Sequence, residues 1–284
     1  MALTDLVIMP GTDYQAICDA VRAKTGDTAL LKSGDIAAQI ESIQGGGGGA
    51  VGDKVLFMDA ALLDAGGAYP VDADDYTLAI IPSETTYVDL DVFDNLPNVK
   101  KVALSGNCDF ETYSVYNAYR KIYLDVPVFS KETCGVTDLI IKGRETIEKA
   151  FLFWSRALVN LTIDNCGDIG DYAVQDCDKL ESVTFKNFHG TSIGNYAFFR
   201  CTSLKEIVIP EGVTHLGSYS FNNCSNLKTV TLPASYQFVS TSNPFTSCPK
   251  DLVIRGYAGS GAEELVNHSN NSVAATEWVF EAIE

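Results

Sequence analysis

Ile193-Gly-Asn-Tyr-Ala-Phe-Phe-Arg-Cys201, followed by Leu204 and the short run Ile207-Val-Ile209, is one copy of a unit that recurs along the chain. Its neighbours are Ile169-Gly-Asp-Tyr-Ala-Val-Gln-Asp-Cys177, leading through Leu180 to Val183-Thr-Phe185, and Leu216-Gly-Ser-Tyr-Ser-Phe-Asn-Asn-Cys224, leading through Leu227 to Val230-Thr-Leu232. A degraded copy follows at Pro244-Phe-Thr-Ser-Cys248 with the run Leu252-Val-Ile254. A divergent copy without a cysteine starts at Ile147 and ends in Leu161-Thr-Ile163. The cysteines at 177, 201, 224 and 248 step by 24, 23 and 24 residues. A fixed period of this size, with one strand and one leucine per unit, predicts a leucine-rich solenoid in which each unit packs only on its neighbours. Such a fold offers a surface rather than a deep pocket, so the functional question is what it binds.

The chemistry of the unit follows from strand geometry. Side chains alternate faces along a strand, so Ile207 and Ile209 point inward and Val208 outward. The repeated Leu, Phe and small Ala fill the opposite wall, and Gly after Ile or Leu permits a tight corner. The repeated Cys reads as a small buried hydrophobe in a column.

The motif from Ile193 to Pro210, I-G-x-Y-A-F-x-x-C-x-S-L-x-x-I-x-I-P, resembles the BspA-type leucine-rich repeat, and the ending from Cys248 to Glu264 is similar to the usual terminal unit of that family. The resemblance covers roughly residues 147–264. Val174 stands at the family's Phe place and Ser220 at its Ala place. It implies a β-rich leucine-rich-repeat solenoid that acts as a binding module.

Composition limits the partners. The net charge is −17, with an excess of eleven acids in residues 1–146, one in 147–255 and five in 256–284. Binding phosphate needs clustered Lys and Arg, so nucleic acid and anionic membranes are excluded as partners. No apolar run approaches the roughly 20 residues of a membrane-spanning helix. The start, Met1 to Pro10, lacks a basic region before its short apolar patch and does not read as a signal peptide. The expectation is therefore synthesis in a cytoplasm, with all eight cysteines reduced and no zinc site, since no C-x-x-C pair occurs.

Residues 1–44 read as a helical docking segment. Tyr14, Ile17, Cys18 and Val21 form one apolar helical stripe, and Ile36, Ile40 and Ile43 a second beyond Gly26. Two helices this short need something to dock on. The segment from Asp13 through Ile40 resembles a short N-terminal module of virion and tail-appendage proteins of phages and prophages, which implies attachment to other virion proteins. Residues 45–49 are an unbroken Gly run, a flexible joint with a reach of roughly 12 Å. Residues 50–84 are expected to cap the solenoid, 85–255 to form it, and 256–284 to close it with a short helix and a strand carrying Trp278 and Phe280 on one face.

Inside the β-rich stretch before residue 146, Phe93 to Leu104 superposes on Phe198 to Ile209, with Leu96 in the Cys place and Val99 in the Leu place. Tyr113, Tyr116 and Tyr119 before Ile122-Tyr-Leu124 fit the same frame. These two units raise the expected count to eight or nine rungs, about 40 Å of stacked sheet.

Candidate chemistry is sparse. Asp72, Asp74 and Asp75 cluster carboxylates as calcium sites do, but the loop lacks the Gly and Glu of a calcium frame. No Gly-x-Ser-x-Gly elbow occurs and no carboxylate pair stands in a glycosidase motif. The expectation is no catalytic residue, metal or cofactor. The binding face is expected at the outward middle of each strand: Ile140, Thr162, Thr184, Val208, Thr231 and Val253. The function expected is a non-enzymatic virion appendage that forms a homo-oligomer in the particle and meets a host-surface protein or glycan. The alternatives are a BspA-like cell-surface adhesin and a glycan-cleaving tail protein.

Overall fold

The computed structural model describes residues 133–271 and 276–283 throughout, and shorter stretches between residues 55 and 129. In chain order the elements are β1 (Val55–Phe57), β2 (Leu78–Ile81), β3 (Tyr87–Val88), β4 (Lys101–Ser105), β5 (Asp109–Phe110), β6 (Thr112–Asn117), β7 (Ile122–Pro127), β8 (Asp138–Lys142) and β9 (Thr146–Ile147). They continue as β10 (Asn160–Asp164), β11 (Asp168–Ile169), β12 (Ser182–Lys186), β13 (Ser192–Ile193), β14 (Glu206–Val208), β15 (His215–Leu216), β16 (Thr229–Thr231), β17 (Val253–Gly256), α1 (Gly261–Asn270) and β18 (Val279–Ala282).

Parallel pairing organises the long strands into a β-solenoid. One sheet runs β1-β2-β4-β8-β10-β12, and another runs β14-β16-β17-β18, with β14 standing beside β12. A second wall is built from two-residue strands in the order β9-β11-β13-β15. The third wall is the Tyr-Ala-Phe segment, which is neither helix nor strand. Its residues alternate so that every second N–H reaches the next rung: Tyr196 donates to the Ser218 carbonyl, Phe198 to Ser220 and Arg200 to Asn222. That zigzag puts two residues per corner in the left-handed region. Tyr172, Tyr196 and Tyr219 occupy the first position with φ of 60°, 56° and 60°, and Asp176, Arg200 and Asn223 the second.

The core is one continuous column. Leu139, Leu161, Ile207, Val230 and Ile254 line it from the long strands, Ile147, Ile169, Ile193 and Leu216 from the short ones. Phe198, Phe221 and Phe245 stack from the third wall with centroids 5.0 and 5.4 Å apart. The four repeat cysteines form a second column beside the rings. Each thiol donates to a carbonyl of the preceding rung: Cys177 to Leu152 at 3.1 Å, Cys201 to Val174 at 3.2 Å, Cys224 to Phe198 at 3.3 Å and Cys248 to Phe221 at 3.1 Å. All are free thiols; the last, near the end of the ladder, is half-buried. In the rung at Ile147, buried Ser155 takes the cysteine's place.

Glycine is required where rungs come closest. A Cβ on Gly217 would sit 2.5 Å from the Asn195 nitrogen and 2.6 Å from the Gly194 carbonyl carbon, both backbone atoms of the rung before it. Gly194 and Gly170 meet the same obstruction one and two rungs earlier. Gly217→Ala is therefore expected to push two rungs apart and cost about 1–3 kcal/mol, measured as a fall in the denaturant midpoint at unchanged m-value.

Two expectations are corrected. Among the described residues between 85 and 255, seven long strands stand in the ladder, not eight or nine. The unit expected at Tyr113 and Tyr116 is instead an antiparallel hairpin, β6 with β7, in which Tyr116 lies opposite Tyr123, while Tyr119 lies outside the described residues. β4 pairs directly with β8, from Lys101 opposite Asp138 to Ser105 opposite Lys142. The reason is chain length. Paired residues lie 22 apart across β8 and β10 and again across β10 and β12, but 37 apart across β4 and β8. That is too little for two turns and enough for one turn carrying a hairpin. The unit at Phe93 does form a rung, with Leu96 and Val99 buried as expected. At the other end the parallel ladder runs back to Val55, into the segment assigned to the cap.

After β17, Ser260 caps α1 by accepting from the Ala262 N–H, and Ala262, Leu265 and Val266 pack on the end of the core. β18 then adds a last parallel strand, with Trp278 buried and Phe280 packed against the core.

Candidate binding face

The outward residues of the long strands form a flat face, because parallel strands in register place equivalent side chains side by side. Its central row starts with Ala103, Ile140, Thr162 and Thr184, each directly opposite the next. It continues beyond β12 with Val208, Thr231 and Arg255. Val208 is the most open large apolar side chain among the described residues, at 60% exposure. The row ends on an exposed ion pair, Arg255 to Glu281 at 2.8 Å.

Beside the central row runs a polar one. Asn160 donates from Nδ2 to Asp138 Oδ1 at 2.8 Å, and Ser182 Oγ donates to Asn160 Oδ1 at 2.7 Å. The row continues through Glu206 and Thr229 to Val253. These side-chain bonds lock the rotamers of three successive rungs, so this part of the face is held rigid before any partner arrives. One rung-to-rung ion pair, Lys205 to Glu181 at 2.8 Å, borders the ladder. A row of small β-branched and hydroxyl side chains presents hydrogen-bonding groups at one spacing.

Ile140, Thr162 and Thr184 thus share one row, and Val208 and Thr231 stand together further along. Val253 does not join them. It lies opposite Thr229, and Arg255 takes the place beside Thr231. The last unit is shortened between its leucine and its strand, and Leu252 occupies the leucine position rather than the first inward place of the strand. The signal was present in the cysteine frame: Thr184, Val208 and Thr231 each follow their cysteine by seven residues, and Arg255 follows Cys248 by the same count. The docking residues Tyr14, Ile17, Val21, Ile36, Ile40 and Ile43, the Gly run and the acidic turn at Asp72–Asp75 lie outside the described residues. Among the described residues, no three His, Cys, Asp or Glu side chains converge as a metal site, and no helix is long and apolar enough to cross a membrane.

Sequence reasoning also passed over the corner wall. Tyr172, Tyr196 and Tyr219 stack on one another outside the main core, with centroids 5.8 and 5.1 Å apart. Lys149 lies over the Tyr172 ring at 5.6 Å and Arg156 over Trp154 at 4.4 Å. Behind them, burial raises the pKa of the Asp176 carboxyl despite a hydrogen bond from Gln175 and the nearby Arg200. The Tyr at a fixed place in three successive units was the available signal.

Residues 123–250 match the family described as BspA type Leucine rich repeat region, in six copies. No curated protein matches the chain by sequence. Among solved structures, the chain is similar to a leucine rich cell surface protein from Faecalibacterium prausnitzii, at 21% identity over 66% of this chain and 50% of that one, with a TM-score of 0.41. It is also similar to a leucine-rich repeat protein from Bacteroides ovatus, at 15% identity over 74% and 55% with a TM-score of 0.40. A third is the pneumococcal vaccine antigen PcpA, at 13% identity over 73% and 68% with a TM-score of 0.38. The chain spans about half the length of the first of these. With its period, its cysteine column and its parallel ladder, the stretch from 123 to 250 is similar to the BspA-type leucine-rich repeat region.

Proposed function

We propose that the chain is a non-enzymatic binding module whose outward sheet face meets a protein or glycan at a cell surface. The observation that carries this is the in-register row Ile140, Thr162 and Thr184 beside the hydrogen-bonded row Asp138, Asn160 and Ser182. A flat face fixed in advance loses little entropy on binding, and repeat solenoids use such extended surfaces for recognition. The setting best supported is that of a BspA-like adhesin, because the family match covers the array itself. The virion-appendage setting rests on the N-terminal segment alone. There residues 1–44 would dock on other virion proteins and the Gly run would act as the joint.

Co-sedimentation of the full chain with intact bacterial cells tests the reading. The chain is expected to pellet with the cells, and the double variant Thr184→Arg with Val208→Arg to stay in solution with an unchanged melting temperature. Sedimentation of the variant like the parent, or no sedimentation of either, overturns it. Release of new reducing ends from cell-wall polysaccharide would support the glycan-cleaving alternative instead.

A further inference from the structure

The long sheet that carries the outward face is split once. β12 pairs with β10 and β14 with β16, but β12 and β14 do not pair with each other. At the other described junctions the residue entering a long strand donates its N–H to its counterpart one rung earlier. Val159 does so to Thr137, Glu181 to Val159 and Lys228 to Lys205. Among the described residues no such bond runs from Lys205 to Glu181, whose side chains meet instead in an exposed ion pair. The inward side chains register the break. Leu161 and Ile163 before it and Ile207 and Ile209 after it are fully buried. Val183 and Phe185 on β12, and Phe188 beyond it, are only half-buried.

The split falls where two kinds of rung meet. From the last inward residue of the long strand to that of the short strand, the chain advances six residues at Ile163 to Ile169, eight at Phe185 to Ile193 and seven at Ile209 to Leu216. β12 has five residues, whereas Pro210, with no N–H to donate, follows β14 closely and holds it to three. Asn187, left-handed with φ of 45°, donates from Nδ2 to Asp164 Oδ1 at 3.0 Å, which ties the corner after β12 back to the rung behind it. On either side of the split the rungs stay joined. Before it, Asp176 donates to the Phe199 carbonyl and Ser203 Oγ to the Asp178 carbonyl at 2.7 Å. After it, Thr214 donates to the Thr191 carbonyl and Ile193 stands opposite Leu216.

We infer that the solenoid bends here, with the short-strand wall and the Tyr-Ala-Phe wall as the hinge and the long sheet as the side that opens and closes. A wall without ladder bonds resists stretching least, and the half-exposed Val183, Phe185 and Phe188 lose little further burial when it opens. The stacks on either side remain stiff. Asp138, Asn160 and Ser182 are bonded to one another on one side, and β14, β16 and β17 pair in register on the other. Bending changes the spacing between Thr184 and Val208, in the middle of the outward row, so the curvature of that face is adjustable. The bend is independent of what the face binds.

Pulsed electron paramagnetic resonance on the full chain tests the hinge, with Cys18→Ser and Cys108→Ser removing the two cysteines outside the described residues. Nitroxides on Thr162→Cys and Arg255→Cys span four junctions of the long sheet, and those on Lys149→Cys and Asn243→Cys span four of the Tyr-Ala-Phe wall. Both separations are about 19 Å at the spacing of stacked strands. The first distance distribution is expected to be at least about twice as wide as the second, because only the long sheet opens. Equal widths overturn the hinge. Hydrogen exchange of the unmodified chain gives a second reading: amides in 183–185 should exchange at least about tenfold faster than those in 161–163, and equal protection also overturns it. Cell binding is read separately, so loss of the hinge leaves the binding-module reading standing.

Discussion

Phe221→Ala is expected to lower stability by about 3–5 kcal/mol and the melting temperature by on the order of 10 °C. Phe221 is fully buried in the middle of the ring column, stacked nearly parallel on Phe198 at 5.0 Å and stacked on Phe245 at 5.4 Å. Its removal leaves a cavity that faces two neighbours at once, and the surrounding walls are backbone ladders that cannot collapse into it. Position matters as much as chemistry. Two and three rungs earlier the same place is filled by Val174 and Leu152, both buried, so the column tolerates an aliphatic side chain at this place. Phe221→Leu should therefore cost clearly less than Phe221→Ala. Equilibrium denaturation of the three proteins checks the order. Equal loss for Leu and Ala would mean that ring stacking, not volume, holds the column together.

The solenoid was legible because its chemistry repeats. One Leu, one Cys and one Phe per unit fix three inward columns, and a strict period leaves the chain few other ways to bury them. Legibility failed where a unit changed length. Tyr113, Tyr116 and Tyr119 imitate the spacing of a corner, but only the pairing distance of 37 residues between β4 and β8 reveals that one turn, not two, lies there. At the last rung, the apolar run Leu252-Val-Ile254 looked like an ordinary strand triplet, while the cysteine frame already pointed to Arg255. The corner wall was illegible in a different sense. A Tyr recurring before Ala reads as another core residue, and only the backbone shows it in the left-handed region with its ring on the outside. The outward row at Ile140, Thr162, Thr184, Val208 and Thr231 followed from alternation, because outward positions are fixed once the inward ones are known, whereas Val253 fell in the neighbouring row.

The cysteine column makes the fold sensitive to alkali, and this is the second large effect expected. Burial raises the pKa of each of these thiols above its ordinary value of 9.0. Cys248 is pushed up to about 12, and Cys177, Cys201 and Cys224 are raised by the same desolvation, which backbone hydrogen bonds only partly oppose at all four. A thiol is neutral when protonated, so the folded chain holds its proton to higher pH than the unfolded chain does. The resulting stability is complete below about pH 9 and falls as pH rises past it, and the Cys248 share levels off near pH 12. Each thiol contributes a slope of about 1.4 kcal/mol per pH unit in that window. Four together remove roughly 5 kcal/mol by pH 10, which is comparable to the whole stability of many domains. Denaturant titrations at pH 8, 9 and 10 should show this fall. The Cys201→Ala, Cys224→Ala variant should show about half of it, since two of the four thiols are gone. Lysine and tyrosine side chains titrate in the same range but are common to both proteins, so the difference in slope belongs to the thiols. The same burial should keep all four unlabelled by iodoacetamide at pH 8 in the folded state, while denaturant without reductant exposes eight labels on the eight cysteines. Identical pH slopes for parent and variant, or disulfides found among the four, would mean that the column does not hold neutral thiols.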